Sequence, residues 1–428
     1  MSIMSEAIYY VPATVRRHNL FQTMAVVCSI IAVLVALMIS NLALSALGIP
    51  YDVEGGLPLT KIHPATYIAS LAMLALLCAP GNPFIAIDDI VRRHHGLLLF
   101  LVAWLFLLVH ISLVLKGPFT NIIDTFLLPP FLLVLLARLD EQTLRRLAVA
   151  IHLIFALNAL LGIVELGSGW RLTPLIVSGA ELTSDWRPSA IFGHPLANAA
   201  AIGCYVISFL LGGGRDLASS LRAPALMLQV LALVVFGGRA AAVLVIPFAA
   251  AIIVLWFVRA VREKRLTAMA AGLFAIAVPL LATAVALAFD AGLFDQFVAR
   301  FLDDDGSAKT RLEMFVLLSE LPMHDLIFGP DAELITTLKR QLGLEYGIES
   351  FWVSLVAHYG LLSTTIFLAG LFCLCKSIAQ ASRKEGGWVV FYFILVASSS
   401  ESIAAKTLSF TLMVVLSLVL LRRTAADR

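Results

Sequence analysis

Charge is what this chain has least of. Of its 428 residues only 14% are Asp, Glu, Lys or Arg, while 61% are hydrophobic and the mean hydropathy is +0.96. Soluble globular domains carry roughly 25% charged residues, so a soluble fold with a single anchor is excluded and a polytopic membrane protein is expected. Cysteine is scarce too. Cys28, Cys78, Cys204, Cys373 and Cys375 all fall inside apolar runs, with no disulfide framework and no metal-ligand spacing. The Cys373-x-Cys375 pair reads as packing within a span. A cleavable signal peptide is missing as well: the first apolar run is long enough to span and carries no A-x-A site. The net charge of +2 gives no reason to expect nucleic acid. Nor is there an internal repeat, which counts against a nested 6+6 carrier with interrupted helices at matching positions.

What the chain does have is a succession of apolar runs punctuated by arginine. A span needs about 20 apolar residues. Twelve spans are expected, at 22–47, 64–80, 96–115, 119–138, 143–165, 194–212, 222–237, 239–258, 266–289, 350–371, 386–400 and 404–421. The basic residues cluster in alternate gaps: Arg16-Arg17, Arg92-Arg93, Arg138/Arg145/Arg146, Arg215/Arg222, Arg259/Arg262/Lys264/Arg265, Lys376/Arg383/Lys384 and Arg422/Arg423/Arg428. Cytoplasmic loops retain Lys and Arg, so these gaps mark the cytoplasmic side, with both termini on it. The expected fold is all-α. Residues 1–165 hold the first five spans, 166–289 the next four with the first outward loop, 290–349 a large outward loop, and 350–428 the last three spans.

The large loop is not a polar linker. Leu293, Phe294, Phe297, Val298, Phe301 and Leu302 recur at helical spacing. Thr310 to Leu321 forms a second expected helix, stopped by Pro322. Asp331 caps a third, with Leu334, Ile335, Leu338 and Leu342 on one face. Such a loop is expected to lie on the membrane surface as a folded lid.

The residues fit for chemistry fall mostly in the outward gaps. The string R-P-S-A-I-F-G-H-P-L-A-N-A-A-A runs from Arg187 to Ala201 at the mouth of a span. Proline suits a first helical turn, so His194 stands at a helix start. Asn198 follows at i+4 and shares its face, and the N–H groups of that start favour an anion. An ordinary helix entry with an interfacial arginine is the alternative. Arg239, in F-G-G-R-A, lies between two apolar runs. A charge at span centre costs roughly 2.5–3.5 kcal/mol, so either an anion in a cavity or snorkelling to headgroups must offset it.

Arg300 and Arg311 flank Asp303-Asp304-Asp305-Gly306-Ser307. The acidic triplet reads as a solvated turn and helix cap rather than a divalent-metal site, and pairing of both arginines with it is the alternative to ligand binding. Glu349 precedes the tenth span, either as a general base or as an acid favouring a helix N-terminus. Glu401 and Lys406 read as a solvated pair flanking the last outward turn. Asp124, His110 and His152 lie inside spans and are expected to be hydrogen-bonded within the bundle, with a proton path as the alternative. Guanidinium groups bind phosphate bidentately and keep their charge. Arg187, Arg239, Arg300 and Arg311, with His194 and Glu349, thus point to a diphosphate held without a metal ion.

The order of these motifs resembles the bacterial O-antigen ligase and Wzy-type polysaccharide polymerase superfamily, over roughly residues 185–365. Arg187 stands at the family's R-x-x-G entry arginine, with Ala190 in place of the glycine. Gly237-Gly238-Arg239 stands for a G-[ST]-R turn. Arg300, Asp305, Ser307 and Arg311 match an R…D-x-S-x-x-x-R stretch, and Ile327-Phe328-Gly329-Pro330 resembles the short glycine motif after it. Ligases of the family usually open the span after the loop with His-Asn. Here it is Glu349-Ser350, which favours a polymerase.

The resemblance implies a GT-C-like helical fold in the bacterial inner membrane, with its active site at the periplasmic face. It implies a glycosyltransferase that joins undecaprenyl-diphosphate-linked oligosaccharide repeats by metal-independent, inverting transfer, with no cofactor. Arg239, Arg300 and Arg311 would take the diphosphate and Arg187 the donor or its first sugar. Glu349 is the first choice of catalytic base and His194 the second. Expected partners are the lipid bilayer, the lipid-linked oligosaccharide, a chain-length regulator and a flippase. The rival readings are a ligase moving finished polysaccharide to an acceptor, a 12-span transporter or flippase, and a membrane scaffold.

Overall fold

The computed structural model describes residues 19–52, 56–174, 176–177, 180–181, 185–263, 307–344, 347–400 and 403–423. The expected ninth span (266–289), the 293–302 helix, Arg300, the acidic triplet Asp303–Asp305 and Glu401 lie outside the described residues. Apart from one two-residue antiparallel pair, Ile176–Val177 with Ala180–Glu181, the described secondary structure is helical.

Each of the other eleven apolar runs contains a helix. Five helices are long and apolar enough to cross a membrane: α1 (Leu20–Met38), α5 (His95–His110, continued to Leu115), α7 (Glu141–Ser168), α10 (Arg239–Arg262) and α14 (Phe351–Ala381). Five more are apolar but shorter: α6 (Thr120–Leu136), α8 (Pro195–Leu210), α9 (Ser219–Val235), α15 (Gly386–Ala397) and α16 (Ser409–Val415, continued to Leu420). The run at 64–80 becomes α3 (Pro64–Cys78). It joins α4 (Pro83–Arg93) at a bend of 110°, and the pair counts as at most one further crossing. The first run is likewise interrupted, because Ser40 caps a separate short helix, α2 (Asn41–Ala46). By length and composition the structure therefore carries five or six crossings among the described residues.

Local chemistry sets the starts. Asn19, Ser40, Asn82 and Asp140 each accept a backbone N–H of the first turn. Three helices begin with proline after a capping residue, at His63-Pro64, Asn82-Pro83 and His194-Pro195. Packing then follows small residues. Ala32 and Ala36 of α1 face Ala65, Ala69 and Ala72 of α3, all essentially buried. A Cβ on Gly370 of α14 would meet the Ala103 Cβ of α5 at 2.6 Å, so these two helices touch nearly backbone to backbone. Large apolar side chains instead face outward, among them Val102, Leu105 and Val109 on α5 and Ile246, Val254 and Trp256 on α10. A helix apolar on every side suits a lipid surround.

The described part of the large loop forms α11 (Ser307–Ser319), α12 (Met323–Phe328) and α13 (Ala332–Gln341). Asp331 is the N-cap residue of α13, as expected, but its side chain makes no capping bond. Met314, Leu317, Leu321 and Ile335 close over Val353 and Ala357, so the loop has a small core of its own on the start of α14. Helix α14 is not continuous. Gly360 takes φ 77° and ψ 162° within it, and the α12 terminus fills the break, with the His110 Nε2 pairing to the Phe328 carbonyl at 2.7 Å.

Five of the seven arginine-rich gaps meet in ion-pair and carbonyl networks. Arg422 grips Asp216 through two N–H···O bonds of 2.7 and 2.8 Å and lies 3.5 Å from Glu141. Arg145 reaches the same Asp216 at 4.0 Å, and Arg215 donates to the Arg422 carbonyl. Arg423 donates to the Ser382 carbonyl, and Arg93 and Arg138 share Asp89.

Candidate functional site

A cavity of about 870 Å³ opens where the loop helices meet the bundle. Ligand pockets fall at roughly 300–1,000 Å³. Arg187, His194, Arg239, Arg311 and Glu349 all line it. Every described member of the set chosen from sequence thus faces one space; Arg300 lies outside the described residues.

The 185–194 segment is held from below. Glu165, buried near the end of α7, accepts the backbone N–H groups of Leu172 (2.8 Å), Ser189 (2.8 Å) and Ala190 (2.9 Å). Asn158 takes the Ile191 N–H and donates to Asn198, which in turn donates to the Ser189 and His194 carbonyls. Asn198 is thus fully buried beneath the segment, bonded to the His194 carbonyl, and is not among the residues lining the cavity.

Arg187 is not an unengaged cation. Asp185 accepts its Nε at 2.9 and 3.0 Å, its Nη2 at 2.5 Å and its own backbone N–H at 3.0 Å. The pair is largely buried and lines the cavity as a unit. Asp185 was missed from sequence, although an acid two residues before an arginine in a tight turn was a legible cue.

Gly237 and Gly238 bring the next arginine alongside. Gly237 has φ 62°, and a Cβ there would sit 3.2 Å from the Arg187 Cδ. A Cβ on Gly238 would meet the Ala199 Cβ at 2.3 Å. Only glycine at both positions lets this turn press on α8 and on Arg187. Arg239 then opens α10. A cation at a helix start opposes the macrodipole, so helix stability does not explain it, whereas a place on the cavity wall does.

From the loop, Arg311 of α11 reaches Glu349, with Nε 3.4 Å from Oε2 and both side chains about half exposed. Glu349 therefore has a partner other than the helix start, where Ser350 takes the N-cap position. The imidazole of His194 is differently employed. Its Nδ1 accepts the Leu196 N–H at 3.2 Å, and burial, with the Arg187 guanidinium nearby, lowers its pKa to about 4. With Nδ1 already engaged at the helix start, the ring has a structural task, whereas the half-exposed Glu349 carboxylate faces the cavity.

Another stretch of the wall belongs to residues read differently from sequence. Lys406 is not solvated: it is 5% exposed and lines the cavity. Its ammonium donates to the Tyr51 carbonyl and lies 3.5 Å from the centroid of the Tyr51 ring. Below it, Asp124 accepts from the Tyr51 hydroxyl, the His63 N–H (2.7 Å) and the Thr66 hydroxyl (3.2 Å). Asp124 and His152, which bonds the Tyr205 hydroxyl, are thus hydrogen-bonded within the bundle, as expected. Burial lowers the pKa of His63, and burial together with Asp124 raises that of Tyr51.

No protein-family profile matches the chain, and no curated protein matches it.

Proposed function

We propose that the protein transfers saccharide units between polyprenyl-diphosphate carriers, as a polysaccharide polymerase whose site faces the periplasm. The observation that carries this reading is the convergence of Arg187, Arg239, Arg311, His194 and Glu349 on one cavity. Those residues come from four separate stretches of the chain, and their side chains suit phosphate and proton chemistry. The motif resemblance supplies the lipid-linked donor; the cavity supplies a place for it beside apolar helices. Twelve spans and cytoplasmic termini belong to the same proposal, supported by the meeting of five arginine-rich gaps away from the cavity residues.

In this mechanism the acceptor hydroxyl attacks C1 of the donor sugar as the diphosphate departs, with inversion. Negative charge grows on the leaving oxygens, and cations already in place stabilise it without reorganising. Arg239 and Arg311 are assigned to that charge, with Arg300 as a third. Arg311 leaves the Glu349 carboxylate for the diphosphate, and Glu349, so released, takes the acceptor proton. General-base help of this kind is worth a factor of about 10²–10⁴. Arg187, already satisfied by Asp185, shapes the wall at the donor end. The loop core over α14 keeps water from the site.

A second reading, a carrier of the same lipid-linked saccharide, is favoured by the Gly360 break, since carriers place broken helices at their sites. One experiment separates the two. The purified full-length chain in lipid nanodiscs is given undecaprenyl-diphosphate-linked repeat units, and the products are resolved by length. Polymerase activity gives a ladder from protein and substrate alone, and R239K and R311K shorten or abolish it. Failure to form any ladder, or an unchanged ladder in both variants, overturns the assignment.

A further inference from the structure

The wall around Lys406 differs in chemistry from the arginine wall. Lys406 and Ser409 are both at least nine-tenths buried, yet both line the cavity. The Ser409 hydroxyl has no hydrogen-bond partner among the described residues. Among the described residues Lys406 makes one hydrogen bond, to the Tyr51 carbonyl, and no ion pair. Asp124 does not need it, because that carboxylate already accepts three donors. The exposed Asp52 carboxylate and the Asn121 amide complete this stretch of wall. The ammonium has one hydrogen-bond acceptor and the face of the Tyr51 ring, so with the unmatched hydroxyl beside it the wall keeps donor and acceptor capacity that a ligand can fill.

The balance of charge narrows that ligand. The charges acting on Lys406 are Asp124, Asp52 and Lys61, and the cavity arginines are not among them. Of the charged residues lining this stretch, Lys406 is balanced by Asp52, so the wall is neutral overall. An ammonium donor, a carboxylate acceptor, an amide and a hydroxyl together match alternating donors and acceptors, as on a sugar ring, better than they match a diphosphate.

We propose that Asp52, Asn121, Lys406 and Ser409 form a saccharide subsite that positions the acceptor sugar, apart from the arginines that hold the diphosphate. The subsite rests on the transferase reading for its place in the reaction, but its binding is testable without turnover. Lys406 sits in the turn ahead of α16, outside the helical span, and burial lowers its pKa to about 8. The groups facing it, besides Asp52, Asp124 and Lys61, are Tyr51 and His63. Saccharide binding should therefore be strongest near neutrality and weaken as pH rises through about 8 and the ammonium loses its proton. Arginine-held phosphate shows no such loss.

The test uses the full chain in nanodiscs and two probes. One is the oligosaccharide pool released by mild acid from the polyprenyl-linked lipids of the producing cells; the other is inorganic pyrophosphate. Binding of each is followed by saturation-transfer NMR and titration calorimetry from pH 7 to pH 9.5. K406Q is expected to weaken saccharide binding about tenfold or more, the scale of a lost charged hydrogen bond, with pyrophosphate affinity unchanged. D52N, at an exposed position that carries no scaffold bond among the described residues, should weaken the saccharide several-fold and guards against misfolding of K406Q. R239Q should do the reverse. Saccharide affinity that ignores both K406Q and D52N, or absent saccharide binding to the unaltered chain, overturns the subsite. Loss of pyrophosphate rather than saccharide in K406Q also overturns it and makes Lys406 an anion post. Absent pyrophosphate binding alongside Lys406-dependent saccharide binding overturns the arginine assignment alone.

Discussion

At one end of the bundle Arg145, Arg215 and Arg422 crowd around Asp216; at the cavity Arg311 reaches across to Glu349. The residue type is the same and the surroundings differ. Arg422 and Asp216 are each 4% exposed and bonded twice to one another, whereas Arg311 and Glu349 are 52% and 41% exposed at 3.4 Å. A buried bidentate pair holds helices together, and breaking it leaves a charge without water. A half-exposed pair at longer range is easily opened, and a ligand can take over either partner. Arginine content alone therefore does not mark a binding site. What marks it is a guanidinium whose partner is cheap to leave and whose neighbour is empty space.

The sharpest way to break this comparison is to remove a carboxylate at the closed end. D216A leaves Arg422 buried beside a hole. Removing one partner of a buried pair costs about 3–5 kcal/mol, so the unfolding midpoint in detergent should fall steeply while pyrophosphate affinity at the cavity stays put. If D216A is as stable as the parent protein, the closed end is not the structural clamp described here. The converse substitution is R239Q. Stability should fall less than in D216A, because the Arg239 side chain is only half-buried on the cavity wall. Transfer should drop about 10²–10³-fold, the usual loss of one preplaced charge stabiliser. A product-ladder assay beside a melting curve checks both halves, and a variant that melts early but transfers normally would reverse the roles of the two ends.

Acid separates the ends more gently. The folded pKa of His194 is about 4, below its ordinary 6.5. Between those values the unfolded chain binds more protons than the native one, so stability rises with pH across that window. The contribution is complete above about pH 6.5 and is lost as pH falls toward 4. Melting curves over that range should therefore slope, and the slope should flatten in H194N, which keeps a capping side chain. Parallel slopes in the two proteins would assign the acid sensitivity elsewhere.

The helical class was readable from periodicity, and each of the eleven runs among the described residues contains a helix, because apolar length is a property of the chain itself. Less was readable about continuity. Ser40, the Asn82-Pro83 start and Gly360 interrupt helices through capping and turn chemistry that a hydropathy window averages away. At the site, Arg187, Arg239, Arg311, His194 and Glu349 stood out because charges are rare in such a sequence. Glu165 and Asn158 did not, since their value lies in backbone groups brought to them from residues up to 33 positions away. Lys406 was misread as solvated because its burial depends on Tyr51, 355 residues earlier in the chain.

Ala190 gives the smallest effect and the most specific check on the cavity end. The resembling family carries glycine there, and in this chain the alanine takes φ 42°, the left-handed region. Its N–H is bonded to the Glu165 carboxylate, and its side chain is fully buried, so neither group can relax the backbone elsewhere. Left-handed geometry costs an L-residue about 1–2 kcal/mol, and glycine's extra freedom in the unfolded chain returns about 0.4–1 kcal/mol of that. A190G should then leave stability level or raise it by up to about 1.5 kcal/mol, against the usual destabilising direction of a substitution to glycine. A190V should lower it, because a branched side chain suits this conformation still less. Should A190G destabilise the protein by as much as glycine does in an ordinary helix, the segment carrying Arg187 and His194 does not turn at Ala190 as described, and the wall they form loses its support.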